Sequence, residues 1–76
     1  MNRERRTTLK KATEYLDLAI DLISEARDDE QTSLDNLPEN LQDSERSETM
    51  ESAIESLEEA IDKIDEAKDS IDCAVA

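Results

Sequence analysis

The chain lacks the residue types on which most catalytic sites depend. It has no histidine, no glycine and a single cysteine, Cys73. There is no glycine-rich loop for a phosphate, and no serine or cysteine stands beside a plausible base. One cysteine permits neither an intramolecular disulfide nor a cysteine-based metal site. We therefore predict a protein that is not an enzyme and that uses no cofactor and no metal ion.

Long hydrophobic runs and aromatic residues are also scarce. No apolar stretch approaches the roughly 18 residues of a membrane span, and residues 1–8 lack the apolar segment of a signal peptide. We expect a cytoplasmic protein that does not contact a membrane. With 76 residues and Tyr15 as the one aromatic side chain, the chain is expected to form one small domain with little core.

Acidic residues dominate the charge. The chain carries 22 Asp and Glu against 9 Lys and Arg, which gives a net charge of −13. Five of the nine basic residues lie within residues 1–13, so the rest of the chain is strongly anionic. Such a surface repels nucleic acid and attracts basic protein surfaces. We predict a protein partner with a basic surface and no direct contact with nucleic acid.

Two segments have the spacing of long amphipathic helices. In residues 45–75 apolar side chains recur at alternating three- and four-residue steps, which keeps them on one stripe. The predicted stripe consists of Met50, Ala53, Leu57, Ala60, Ile64, Ala67, Ile71 and Ala74, and it is widened by Ile54, Ile61 and Val75. Residues 7–35 repeat the pattern through Leu9, Ala12, Leu16, Ala19, Ile23 and Ala26, with Ile20 at the widened position.

The predicted helix ends rest on capping residues. Thr7 or Thr8 is expected to cap helix 1, which leaves residues 1–6 as a flexible basic tail. Residues 36–44 form the predicted turn, because Asn36 can adopt the left-handed conformation that glycine usually supplies and Pro38 ends the helical geometry. A single helical turn is expected after Pro38. Asp43 or Ser44 is expected to cap helix 2.

These elements predict an all-α fold. The heptad Ala-Ile-acid-x-(Leu/Ile)-x-Glu-Ala occurs at residues 19–26, 53–60 and 60–67, a period typical of coiled coils. Two helices of matched length with a short connection favour an antiparallel hairpin in residues 7–76, a single domain. Apolar residues beyond the stripe suggest a homodimeric four-helix bundle. The alternative is that they only thicken the core of the hairpin. These partner or dimer-binding candidates are Tyr15, Leu18, Leu22, Ile20, Ile54 and Ile61.

Regular rows of carboxylates are the second candidate site. On helix 2 they recur every seven residues in two rows, and similar carboxylates recur on helix 1 at Glu14, Asp21, Asp28 and Asp35. A rod with this charge resembles one strand of a nucleic-acid backbone. The alternative is that the acid only confers solubility, and that the basic residues near the amino terminus neutralise the end of helix 2. The candidate residues are Glu48, Glu51, Glu55, Glu58, Asp62, Asp65, Asp69 and Asp72.

The centre of the chain resembles a segment of small acidic phage proteins. Residues 34–50 read LDNLPENLQDSERSETM and contain the pattern L-P-x-x-L-Q-x-S-x-R, followed by acidic heptads. Uncharacterised proteins of phages and prophages have a similar segment. The resemblance brings no assigned activity and no site residues. It implies a phage-encoded protein that acts in the cytoplasm of a bacterial host by binding and blocking a host factor, defence nucleases included.

Two functional hypotheses follow. In the first, the hairpin is a non-catalytic inhibitor whose acidic face occupies the basic nucleic-acid-binding groove of a host defence protein. In the second, it is a structural or adaptor hairpin that oligomerises or docks partner helices through its apolar face. The first predicts binding that weakens steeply with salt, and the second predicts binding that tolerates salt.

Overall fold

The chain folds into two long helices joined by a short turn. The computed structural model describes all 76 residues. Helix α1 covers Arg3–Asp35, a single 3-10 turn covers Glu39–Leu41, and helix α2 covers Glu45–Val75. The two helices fold back on each other, and the molecule measures 59 × 15 × 12 Å. The prediction of an all-α antiparallel hairpin is confirmed.

Helix α1 begins earlier than its threonines suggest. Asn2 is the N-cap, and its side-chain oxygen accepts a hydrogen bond from the Arg5 N–H at 2.8 Å. Thr7 and Thr8 lie inside the helix, where their hydroxyls donate to the carbonyls four residues earlier. The predicted start at Thr7 is therefore wrong, because asparagine is at least as good a cap as threonine. Residues 3–6 are helical and do not form a tail.

The turn reverses the chain without any left-handed residue. No residue has a positive φ, and Asn36 ends α1 at φ −94° and ψ 5°. The expected left-handed Asn36 is therefore wrong. The predicted single turn after Pro38 is present as Glu39–Leu41, so the reversal is spread over several residues. Leu37 folds inward and is 9% exposed, which closes this end of the hairpin.

Ser44 caps helix α2, which spans the predicted residues 45–75. Its hydroxyl accepts from the Ser47 N–H at 3.4 Å, and the Ser47 hydroxyl donates to the Ser44 carbonyl at 2.9 Å. Ser47 is only 2% exposed. A small side chain here allows Leu37 and the turn to approach α2.

The seam between the helices keeps Met50, Leu57, Ile64 and Ile71 of the predicted stripe, but its centre is shifted from the alanines toward the widening positions. In α2, Ile54 is buried and Ile61 is half-buried. In the alanine row, Ala53 and Ala60 are half-buried, and Ala67 and Ala74 are exposed. Isoleucine removes more apolar area from water than alanine does. This favours the rotation of α2 that turns its isoleucines toward α1. The observed seam consists of Leu9, Thr13, Leu16, Ile20, Ile23, Arg27, Glu30, Leu34 and Leu37 in α1 and Ser47, Met50, Ile54, Leu57, Ile61, Ile64, Lys68, Ile71 and Val75 in α2.

The hairpin encloses very little core. Only Leu37 and Ile54 among the apolar residues are buried, and no side chain is fully enclosed. The other apolar seam residues are half-buried. Polar residues interrupt the seam at Thr13, Arg27, Glu30, Ser47 and Lys68. A single pair of helices covers each seam residue from one direction only, so its sides stay accessible.

Candidate protein-binding surfaces

The displaced seam divides the hairpin into two broad faces. In an antiparallel pair, the reversal of one helix places the same flank of the heptad of both helices on the same side. The acidic rows of α1 and α2 therefore share one face. We call this the acidic face. It is formed by Glu14, Asp17, Asp21, Asp28 and Asp35 of α1 and by Glu48, Glu51, Glu55, Glu58, Asp62, Asp65, Asp69 and Asp72 of α2.

Two shared grooves and one ion pair between the helices place the acidic rows of α1 and α2 on the same side. Glu14 of α1 and Asp72 of α2 line one shallow groove of about 420 Å³ at the open end of the hairpin. Asp35 and Glu51 line another, of about 320 Å³, near the turn. Between these ends, the Lys68 ammonium of α2 forms an ion pair with Asp17 of α1. The acidic face therefore extends along the whole hairpin.

Most of the acidic face takes part in no ion pair. The chain contains three ion pairs, Arg27 with Asp28, Lys63 with Glu59, and Lys68 with Asp17. All eight α2 carboxylates proposed from the sequence are exposed, and none of them belongs to a pair. Successive carboxylates in α2 are three or four residues apart, or about 4.5–6 Å along the axis. Mutual repulsion along these rows opposes folding.

The basic amino terminus does not neutralise the end of α2 through ion pairs. None of its five basic side chains takes part in one. Lys10 and Val75 line the same groove, so α2 ends close to the level of Lys10. Arg3 and Arg5 lie in the turns of α1 that extend beyond that level. The alternative that this segment neutralises the end of α2 through ion pairs is therefore not supported, although Arg6 and Lys10 line one groove with Asp72.

Lys68 is the one lysine of the seam. It occupies the place that Ile61 and Val75 take one heptad away on either side, and its side chain is 26% exposed. A hydrogen bond to Asp17 raises the pKa of Lys68, burial opposes this, and the negative charges of Asp17, Asp65 and Asp72 raise it further. Lys68 thus links the two helices and partly offsets the carboxylates around it.

Replacing Lys68 with arginine is expected to preserve stability at alkaline pH. Because the folded-state pKa of Lys68 is raised, its contribution is complete below the ordinary lysine value of about 10.4 and is lost as the pH rises through the higher folded value. Arginine stays charged over this range. Thermal unfolding by circular dichroism should therefore show a smaller fall in Tm between about pH 9 and pH 11 for Lys68→Arg than for wild type. Equal falls would contradict this role.

The opposite side of the hairpin is poor in acid and largely apolar. Tyr15, Leu18 and Leu22 are 60%, 57% and 67% exposed. The Lys11 ammonium lies 6.0 Å from the centre of the Tyr15 ring, so one edge of the row is capped by a cation. Alanines lie between this row and the seam. We call this side the apolar face, formed by Ala12, Tyr15, Ala19, Leu22 and Ala26 of α1, by Ala53, Ala60, Ala67 and Ala74 of α2, and by Leu18 at its edge.

The apolar candidates from the sequence separate into two groups. Tyr15, Leu18 and Leu22 lie outside the seam and remain available to a partner. Ile54 is 7% exposed, and Ile20 and Ile61 are half-buried beside it in the seam. The expectation that Ile20, Ile54 and Ile61 form a free flank is therefore wrong, because these side chains hold the two helices together. Of the alanines predicted in the seam, Ala12, Ala19, Ala53 and Ala60 are half-buried at its border with the apolar face, whereas Ala26, Ala67 and Ala74 are exposed on that face.

The remaining features concern metal ligands, the single thiol and membrane spans. No group of three or more His, Cys, Asp and Glu side chains is arranged to hold a metal ion. Cys73 is exposed and free. Neither helix combines the length and the apolar character that crossing a membrane requires. No family model, no curated protein and no solved structure matches this chain.

Proposed function

We propose that this hairpin is a non-catalytic protein-binding module whose acidic face occupies a basic, nucleic-acid-binding groove of another protein. The observation that supports the proposal most directly is the collection of carboxylates from both helices on one face, where none of the eight α2 carboxylates forms an ion pair. A groove that binds nucleic acid presents Lys and Arg at intervals along a negatively charged ligand. The acidic face offers such a groove two adjacent rows of negative charge.

The repulsion among the carboxylates of the acidic face supports a binding function for that face. Solubility requires net charge, but it does not require the charge to lie on one side of the molecule. Collecting like charges on one face opposes folding, and the hairpin has little core to offset that repulsion. A basic partner would remove the repulsion on binding, and salt would weaken the association.

The resemblance of residues 34–50 to small acidic phage proteins extends the proposal. On that basis the hairpin is a phage-encoded inhibitor in the cytoplasm of a bacterial host, and its partner is a host defence protein that binds nucleic acid. A nuclease fits this description, because an occupied groove excludes its substrate.

Neutralising the acidic face is expected to abolish competition with DNA. Immobilised hairpin should capture nucleic-acid-binding proteins from a bacterial lysate at low salt, and duplex DNA should release them. For a purified captured protein, the variant with Asp62, Asp65, Asp69 and Asp72 changed to Asn should bind about 10- to 100-fold more weakly, since four exposed charge pairs contribute roughly 2 kcal/mol in total.

A control of equal charge separates position from amount of charge. The variant with Glu4, Glu25, Glu39 and Glu66 changed to Gln loses the same four charges away from the acidic face. It should bind nearly as well as wild type. If both variants weaken binding equally, or if DNA releases nothing, the acidic face is not a specific binding surface and the proposal fails.

The exposed apolar row supports a second candidate, a structural or adaptor module. Tyr15, Leu18 and Leu22 project from α1 in three- and four-residue steps, the spacing by which one helix recognises another. Binding through this row should tolerate salt and be lost in Leu18→Asp. The first candidate instead predicts binding that weakens as salt is added and that is retained in Leu18→Asp.

A further inference from the structure

We propose that the apolar face is covered by a second copy of this chain, so that two hairpins form a four-helix bundle with their acidic faces outward on opposite sides. The interface stands independently of the proposed function. Only the interpretation of the two outward acidic faces as binding surfaces rests on that function.

The single hairpin exposes more surface to solvent than a compact monomer of the same mass does. The chain exposes 5848 Å². A compact monomer of 8.6 kDa exposes about 4700 Å² by the usual scaling. The excess of about 1100 Å² exceeds the roughly 800 Å² that each partner buries in a standard interface. A second hairpin on the apolar face would bring the exposed area per chain into the ordinary range.

The seam itself indicates which face is covered. The half of the seam that borders the acidic face contains Thr13, Arg27, Ser47 and Lys68. The half that borders the apolar face contains one polar residue, Glu30, and otherwise Leu, Ile and Met. Polar side chains thus interrupt the seam mainly in the half that borders the acidic face. The more apolar half borders the face that we propose to be covered.

Charge favours a second copy as the occupant. The acidic faces of two chains repel each other, so two copies can approach only through the faces that carry little acid. The apolar face carries Lys63 and Asp29 but no row of carboxylates. Back-to-back association also places the two acidic faces as far apart as the bundle allows.

Side-chain size indicates how the copies are arranged. On the apolar face, α1 contributes the bulky Tyr15 and Leu22, whereas α2 contributes, apart from Lys63, small residues such as Ala60 and Ala67. A two-fold axis parallel to the helices places α1 of each copy over α2 of the other, so that bulky side chains meet alanines. By the register that the Lys68–Asp17 ion pair sets, Leu22 then lies level with the space between Ala60 and Ala67, and Tyr15 with the space between Ala67 and Ala74. The alternative axis stacks bulky on bulky and leaves a gap between the alanines.

Sedimentation equilibrium tests the interface. Wild type should have twice the 8.6 kDa chain mass at micromolar concentration. Leu22→Glu places a charge in the apolar face and should weaken self-association by about 100-fold. Ser52→Glu adds the same charge at an exposed position outside this face, so it should remain dimeric. A monomeric wild type, or a Leu22→Glu chain that dimerises like wild type, would overturn the proposal.

Thiol crosslinking tests whether α1 of one copy lies over α2 of the other. It can detect this pairing even if the cysteine substitutions lower the stability of the chain. In a Cys73→Ser background, a mixture of Leu22→Cys and Ala60→Cys chains should join through a short bismaleimide, whereas Leu22→Cys alone should crosslink poorly. Efficient self-crosslinking of Leu22→Cys would overturn the pairing of α1 with α2. Because these substitutions leave the acidic face unchanged, failure of the dimer and failure of acid-dependent binding are distinguishable.

Discussion

Truncation of Ile54 to alanine is expected to destabilise the hairpin by about 2–4 kcal/mol and to lower Tm by roughly 10–25 °C. Ile54 is the most buried apolar side chain of the protein, at 7% exposed, and it lies in the middle of the seam. A chain of this size has only a few kcal/mol of stability in reserve. Ile54→Ala should therefore be largely unfolded at physiological temperature, as measured by thermal and urea unfolding followed by circular dichroism.

Two control variants are needed to interpret the unfolding of Ile54→Ala. Ile54→Val removes a single methylene and should cost about 0.5–1.5 kcal/mol. Leu18→Ala removes a comparable volume from a position that is 57% exposed at the edge of the apolar face, and it should cost less than about 1 kcal/mol. An Ile54→Ala chain as stable as Leu18→Ala would mean that the seam does not run through Ile54.

Replacement of Glu30 with leucine is expected to stabilise the hairpin by about 1 kcal/mol and to raise Tm by about 4–8 °C. Glu30 is half-buried in the seam, in line with Ile23 and Leu37. Leucine there gains partial apolar burial and removes a charge from apolar surroundings. The same substitution at Glu25, which is exposed and outside the seam, should give no comparable gain. If Glu30→Leu unfolds at or below the wild-type temperature, the seam does not pass through this position.

The sequence was sufficient to predict the helices and the position of the turn. Apolar residues at three- and four-residue steps indicate helices over any length that they span, and Pro38 interrupts them once. The cap of α1 was misassigned because Asn2, Thr7 and Thr8 are all acceptable caps. Asn36 was misassigned because a 3-10 turn can reverse the chain gradually.

The phase of the seam could not be decided from spacing alone. The rows through Ala53 and Ala60 and through Ile54 and Ile61 both alternate with the same leucine and isoleucine positions. Packing selects between them, because the row with isoleucine buries more apolar area. The size of the side chains is the feature of the sequence that distinguishes the two rows. Alanine at every heptad of one row is a weak core, and it is well suited to a close approach between copies.

The composition of the faces depends on that phase. A shift by one position moves the acidic rows from the outer side of each helix to one shared side of the hairpin. The carboxylates themselves could be identified from the sequence, but their meeting across the two helices could not, since it requires the register that Asp17 and Lys68 display. Lys68 could have been noticed, because it replaces an apolar residue in an otherwise regular row.

The separation of charge gives the single hairpin a dipole moment directed across its width. On a positively charged resin or bilayer, an isolated hairpin should therefore lie flat in one preferred orientation, with Tyr15 and Leu22 turned toward the bulk solution. A pair related by a two-fold axis cancels this transverse moment. Orientation in an electric field, followed by electric birefringence, should then distinguish the two species without any label.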